Sequence, residues 1–203
     1  GNSAFEGCSG FTSLHIGDNV TSIDVDVFKG CSKINSVYIP DSVTSIGNSA
    51  FEGCSGLTSV TIPDNVTSIG NSAFEMCHGL TSVTISDSVT SIGNKAFFWC
   101  NNISFLTIGN SVTKIGSEGF SWCINLTSVT IPESLTIIDK NAFYGCIRLI
   151  ICRIDLDDDG AVIIPDTWKS IYPFSFYRCS NLTSVTIHDS VTRIGERAFN
   201  GCN

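Results

Sequence analysis

The stretch Ser42–Asp64, SVTSIGNSAFEGCSGLTSVTIPD, is followed at once by Asn65–Asp87, NVTSIGNSAFEMCHGLTSVTISD, and the two differ at only four places. A fixed period of this length is the mark of a solenoid, in which each repeat buries its apolar edge only against its neighbours. The same unit, more worn, runs outward in both directions. Phenylalanine keeps its register at Phe5, Phe28, Phe51, Phe74, Phe97, Phe120 and Phe143, each 23 apart, then at Phe176 after a step of 33, then at Phe199. Cysteine follows three residues behind each of them, from Cys8 to Cys202. The long step is one repeat plus ten residues, and this reading places the insertion near 155–164.

Each repeat has three pieces. Leu57–Ile62, LTSVTI, sends Val60 and Ile62 one way and Ser59 and Thr61 the other, which is the alternation of a half-buried strand. The turn Pro63-Asp64-Asn65 follows, where an Asp side chain can bond the backbone two residues on. Then Val66 and Ile69 face inward, and GNSAF supplies a Gly for an unusual backbone angle and a Phe plug. No piece is long enough for a standard helix, so short 3₁₀ or single-turn helices are expected. The expected parallel strands centre on Leu14, Val37, Val60, Val83, Leu106, Val129, Cys152 and Val185.

The spacing Leu57-x-x-Val60-x-Ile62-x-x-Asn65 fits the leucine-rich pattern L-x-x-L-x-L-x-x-N. Together with TSVTIPDSVTSIG, AF-x-x-C and the 23-residue period, it resembles the BspA-like leucine-rich repeat family over essentially the whole chain outside the insertion. The resemblance implies an α/β leucine-rich repeat horseshoe, a right-handed solenoid, mainly parallel β with short helical turns. Residues 1–203 then form one domain of about eight full repeats, opening as GNSAF and closing as AFNGCN in mid-repeat, a fragment of a longer array. The resemblance also implies a surface or secreted protein that adheres to host cells or matrix proteins. A spacer and a glycan-binding module remain as alternatives.

Composition bounds the partners. Nineteen acidic against eleven basic side chains give a net charge of −8, which disfavours nucleic acid. No run of 18 apolar residues exists to span a membrane. The three histidines, His15, His78 and His188, hold three different repeat positions, and no nucleophile–base or phosphate-loop pattern is present, so an enzyme is not expected. Nine of the ten cysteines share one position beside the Phe plug, which reads as a reduced, buried ladder. Uncapped end layers are candidates for end-to-end self-association.

Two constellations carry chemistry. Asp155-Leu-Asp157-Asp158-Asp159-Gly160, with Asp166, reads D-x-D-x-D-G-x₅-D and resembles the calcium loop of EF-hand proteins. Position 12 is Asp instead of Glu, and no flanking helices are evident. An acid-tipped hairpin therefore stands beside the calcium reading, with no other cofactor expected. The second constellation is a set of departures from the Ser, Thr and Gly background. Phe105, Ile151 and Arg153 fall on the expected strand face, and Trp99, Trp122 and Tyr177 on the adjoining rim. Aromatic residues and Arg are the types that carry interface energy, so these six are the expected binding residues.

Overall fold

The computed structural model describes residues 1–139, 141–151, 158–171 and 173–202. Parallel pairing at a constant offset of 23 builds a β-solenoid. In the first file of strands Ser13–His15 pairs with Ser36–Tyr38, and Ser82–Thr84, Phe105–Thr107 and Ser128–Thr130 form a continuous sheet. Single bridges at Ser59 and Thr61 join the two groups. The central residue of each strand is turned to the core, as with Val83 and Leu106, while the flanking Ser, Thr and Phe face out. In the second file the two-residue strands Ser22–Ile23, Ser45–Ile46, Ser68–Ile69, Ser91–Ile92, Lys114–Ile115 and Ile137–Ile138 form one six-stranded sheet, each with its Ile inward.

The third side is where the expectation of helical turns is overturned. No helix occurs among the described residues. Two residues per repeat, four apart, adopt left-handed backbone, such as Ser49 (φ 53°) and Gly53 (φ 71°). A helix needs an unbroken right-handed run, so it cannot form there. The N–H groups of Ser49, Phe51 and Gly53 instead donate forward to the carbonyls of Asn71, Ala73 and Glu75, at 2.8 Å each. These alternating bonds work as a third ladder and hold successive turns at a fixed separation.

The glycine of GNSAF also differs from its expected role. Gly47, Gly70, Gly93 and Gly116 have no positive φ; a Cβ on Gly93 would lie 2.6 Å from the backbone of Gly70. Close approach between stacked turns requires these glycines. The left-handed position two residues later is filled by Ser, Lys, Glu or Arg.

Inside, the phenyl rings stack in a file. Centroids from Phe28 through Phe143 are 5.1–5.6 Å apart with rings within 19° of parallel. The file breaks after Phe143, which meets Phe174 edge-on at 5.8 Å, whereas Phe176 stacks on Phe199. The buried side chains accordingly form two groups: a long one that includes Phe28 through Phe143 and ends with Phe174, against which Tyr177 packs, and a short one built on Val162, Ile164, Ile171, Phe176, Cys179 and Ala198.

The break falls at the interruption of the repeat. Ala161–Ile163 pairs with Ser184–Thr186 at the usual offset, Val162 opposite Val185. The strand that pairs forward is thus centred on Val162, while Ile150 bridges back to Ser128, so the added length falls between these two residues and overlaps the expected 155–164. Cys152, taken above as a strand centre, lies outside the described residues.

Of the free ladder thiols, those from Cys31 to Cys146 are buried as expected, while Cys8 and Cys202 in the end turns are half-buried. Cys54, Cys77, Cys100 and Cys123 have no exposed surface, and each Sγ donates to the carbonyl of the Phe in the preceding turn, at 3.0–3.4 Å. Thiol and carbonyl thus satisfy one another inside an apolar layer. Cys179 departs from the ladder and is disulfide-bonded. Eight of the described cysteines are free. Denaturing alkylation without reductant, followed by intact mass, is therefore expected to give eight adducts, rising to ten after reduction. Ten without reductant would exclude the disulfide.

Candidate functional site

Between the Phe plug and the Cys the common pair is Glu-Gly, and its glycine is left-handed, as at Gly30 (φ 73°) and Gly53 (φ 71°). Four turns place a bulky residue there without changing the backbone: Met76 (φ 58°), Trp99 (φ 61°), Trp122 (φ 63°) and Arg178 (φ 54°). Left-handed backbone costs an L-residue about 1–2 kcal/mol, so each of these turns carries a strain that glycine would avoid. Strain of this kind gathers at functional sites.

Trp99 and Trp122 stand on adjacent turns, 45% and 40% exposed. With Phe98 they line a cleft of about 300 Å³. Neighbours fix the rings. His78 donates from Nδ1 to the Trp99 carbonyl at 2.9 Å and meets the indole edge-on at 5.9 Å. Lys95 Nζ sits 5.2 Å over Phe98. Trp122 meets Tyr144 edge-on at 5.6 Å and lies against Gly145, where an added Cβ would be 2.8 Å from the indole.

The other expected binding residues are distributed differently. Phe105 stands on the strand face, 65% exposed, outside this cleft. Tyr177 is half-buried against the core, with Phe174 at 5.4 Å and the Arg178 guanidinium over its ring. Arg153 lies outside the described residues. Ile151 is only 1% exposed, which removes it from any contact surface. The cause is a one-residue slip in register. Ser128 bridges Ile150 instead of Ile151, and a slip of one turns each side chain to the opposite face. Ile150 is the exposed residue in its place.

Three further exposed residues stand near the expected set. Tyr144 extends the rim, Ile147 is 62% exposed beside it, and Ile163 is 65% exposed on the strand face. Ile147 could have been found, because most repeats have Ser, His or Asn at that position and Ile124 alone shares its type. Ile163 could not, since its face depends on where the insertion ends.

Of the candidate calcium ligands, Asp155 and Asp157 lie outside the described residues. Asp159 and Asp166 flank the strand Ala161–Ile163, one before it and one after. Among the described residues no group of three His, Cys, Asp or Glu is placed to hold a metal ion. Asp87 Oδ1 accepts from the Asn110 N–H of the next layer at 2.7 Å. Among the described residues no helix is long and apolar enough to cross a membrane.

The model of the BspA type leucine-rich repeat region matches six copies, over residues 1–122 and 160–203. The unmatched stretch between them holds the register slip and the inserted residues. No curated protein matches the chain. Among solved structures, the chain is similar to a leucine-rich repeat protein from Bacteroides ovatus, with 28% identity and a TM-score of 0.71 over 100% of this chain and 67% of that one. It is also similar to the leucine-rich repeat protein of T. pallidum, with 29% identity and a TM-score of 0.70 over 73% of this chain and 69% of that one. The pneumococcal vaccine antigen PcpA, 20% identical with a TM-score of 0.58 over 98% of this chain and 60% of that one, shares the fold.

Proposed function

The chain belongs to the BspA type leucine-rich repeat family, and from that premise we propose that it is a non-enzymatic binding module, displayed on a cell surface or secreted, whose aromatic rim grips a protein on host cells or in their matrix. In this reading residues 1–203 act as one repeat domain. The observation that carries it is the pair Trp99 and Trp122, half exposed on adjacent turns, at backbone angles where other turns use glycine. A spacer gains nothing from two strained, exposed indoles. A binding surface does, since Trp is among the residues whose truncation commonly costs about 2 kcal/mol or more at an interface.

The test separates contact from packing. The double variant Trp99→Ala, Trp122→Ala is expected to lose attachment to immobilised matrix proteins and cultured host cells while keeping its melting temperature. Trp122→Gly should hold stability within about 1 kcal/mol of wild type, because relief of the left-handed strain offsets the lost ring contacts. Attachment that survives the double variant, or falls only as far as the protein unfolds, would overturn the reading.

A further inference from the structure

The aromatic rim runs on into a groove of opposite character to the rest of the molecule. The chain carries −8, yet all five of its arginines lie at or after position 148. Two clefts sit side by side there. One, of about 260 Å³, has Trp122, Tyr144 and Tyr177 on its walls; the other, of about 510 Å³, has Arg148 and Ile150. Arg178 and Ile147 line both, so the two form one groove, aromatic at one end and cationic at the other.

Arg178 is built into this position. It replaces the left-handed glycine of the repeat, at φ 54°. Its stem lies on the following turn, where a Cβ at Gly201 would come within 2.9 Å of Cγ. Its guanidinium stacks 5.4 Å from the Tyr177 ring centroid, and Nη1 donates to the Ile147 carbonyl at 2.6 Å. A guanidinium has five N–H donors, and among the described residues this is the single acceptor Arg178 finds. Neither Arg178 nor Arg148 is ion-paired among the described residues, whereas Arg197 has Glu196 at 3.6 Å. A half-buried guanidinium, oriented by the Tyr177 ring and the Ile147 carbonyl and lining a groove with a second, exposed Arg, is arranged to receive carboxylates in bidentate fashion.

We infer that this groove binds an acidic peptide segment of the partner: carboxylates on Arg178 and Arg148, and an apolar or aromatic side chain between Trp122, Tyr144 and Ile147. The inference rests on the protein-binding reading above and names the chemistry that the rim selects. An acidic chain repels acidic segments elsewhere on its surface, so this groove is where such a segment can dock.

The probe is a fluorescein-labelled, end-blocked hexapeptide of alternating Glu and Tyr, titrated into the full chain by fluorescence anisotropy. The same peptide with Gln for Glu is the control, and a sulfated heparin hexasaccharide is the second arm. The Glu peptide is expected to bind at least about tenfold more tightly than the Gln peptide, as loss of charge-assisted bonds implies. Arg148→Gln and Arg178→Gln should each weaken it by about threefold or more, and rising salt should weaken it further. Arg148 is exposed, so Arg148→Gln should keep the wild-type melting temperature and hold the test clear of folding. Equal binding of the two peptides, no binding, or binding of the sulfated sugar alone would overturn the inference. If a matrix partner still depends on Trp99 and Trp122 but ignores both arginine variants, this inference fails and the binding-module reading stands.

Discussion

Phe97→Ala is expected to destabilise the protein by about 3–5 kcal/mol, at the upper end of the range for a buried aromatic truncation. Phe97 has no exposed surface and stacks 5.1 Å from Phe74 on one side and Phe120 on the other. The cost of such a deletion depends on how far the walls can close. Here they cannot close. Phe74 N–H donates to Ala96 and Phe97 N–H donates to Gly119, both at 2.8 Å, so the backbone ladder holds the layers apart whatever sits between them. The damage should also stay local, because a solenoid turn contacts only its neighbours. Hydrogen exchange is expected to accelerate in the turns around Phe97 while those near Phe28 keep their protection. A loss below about 1.5 kcal/mol by urea denaturation would mean that the layers collapse after all.

Much of this architecture is legible in the sequence because a repeat states each contact several times. The 23-residue spacing of Phe fixes which residues stack, and the offset of every observed strand pair follows from it. The alternation in Ser-Val-Thr fixes which residue enters the core. The reading failed where the repeat is interrupted. Leu149–Ile154 and Ala161–Ile164 are both short apolar runs rich in β-branched residues, and sequence alone cannot choose between them. The ladder to Ser184–Thr186 takes the second and a bridge from Ser128 to Ile150 takes the first, and that one-residue slip turns Ile151 from the surface into the core. The left-handed turns were hidden for a different reason. They fall on Ser49, Ser72, Lys95 and Arg197, residue types with no common turn preference. Interlayer hydrogen bonds impose that backbone, and those bonds exist only once the turns are stacked. At the rim, Trp99 and Trp122 were legible as departures from glycine; the strain that makes them informative was not.

Above pH 9 the protein is expected to lose stability steeply, and its buried thiols are the cause. Burial pushes the Cys54 thiol from 9.0 up to about 12, and burial raises Cys77, Cys100 and Cys123 in the same direction. The sign follows from proton counting. Between pH 9 and about 12 the unfolded chain has released the Cys54 proton while the folded chain retains it. The unfolded state then binds fewer protons, so stability falls as pH rises. The stabilising effect is whole below the unfolded value and disappears as pH climbs through the folded one. Each such thiol contributes a slope of about 1.4 kcal/mol per pH unit across its window. Cys77, Cys100 and Cys123 add to the decline in the same direction. Unfolding followed by circular dichroism at fixed temperature should therefore show an alkaline transition in this range. Cys54→Ser is the control, because a serine hydroxyl does not titrate there. Its stability at pH 7 should be somewhat lower than wild type, since the smaller oxygen leaves a gap beside Phe28, yet its decline with pH should be shallower by about 1.4 kcal/mol per unit. If the two decline in parallel, the Cys54 thiol is not held protonated by burial.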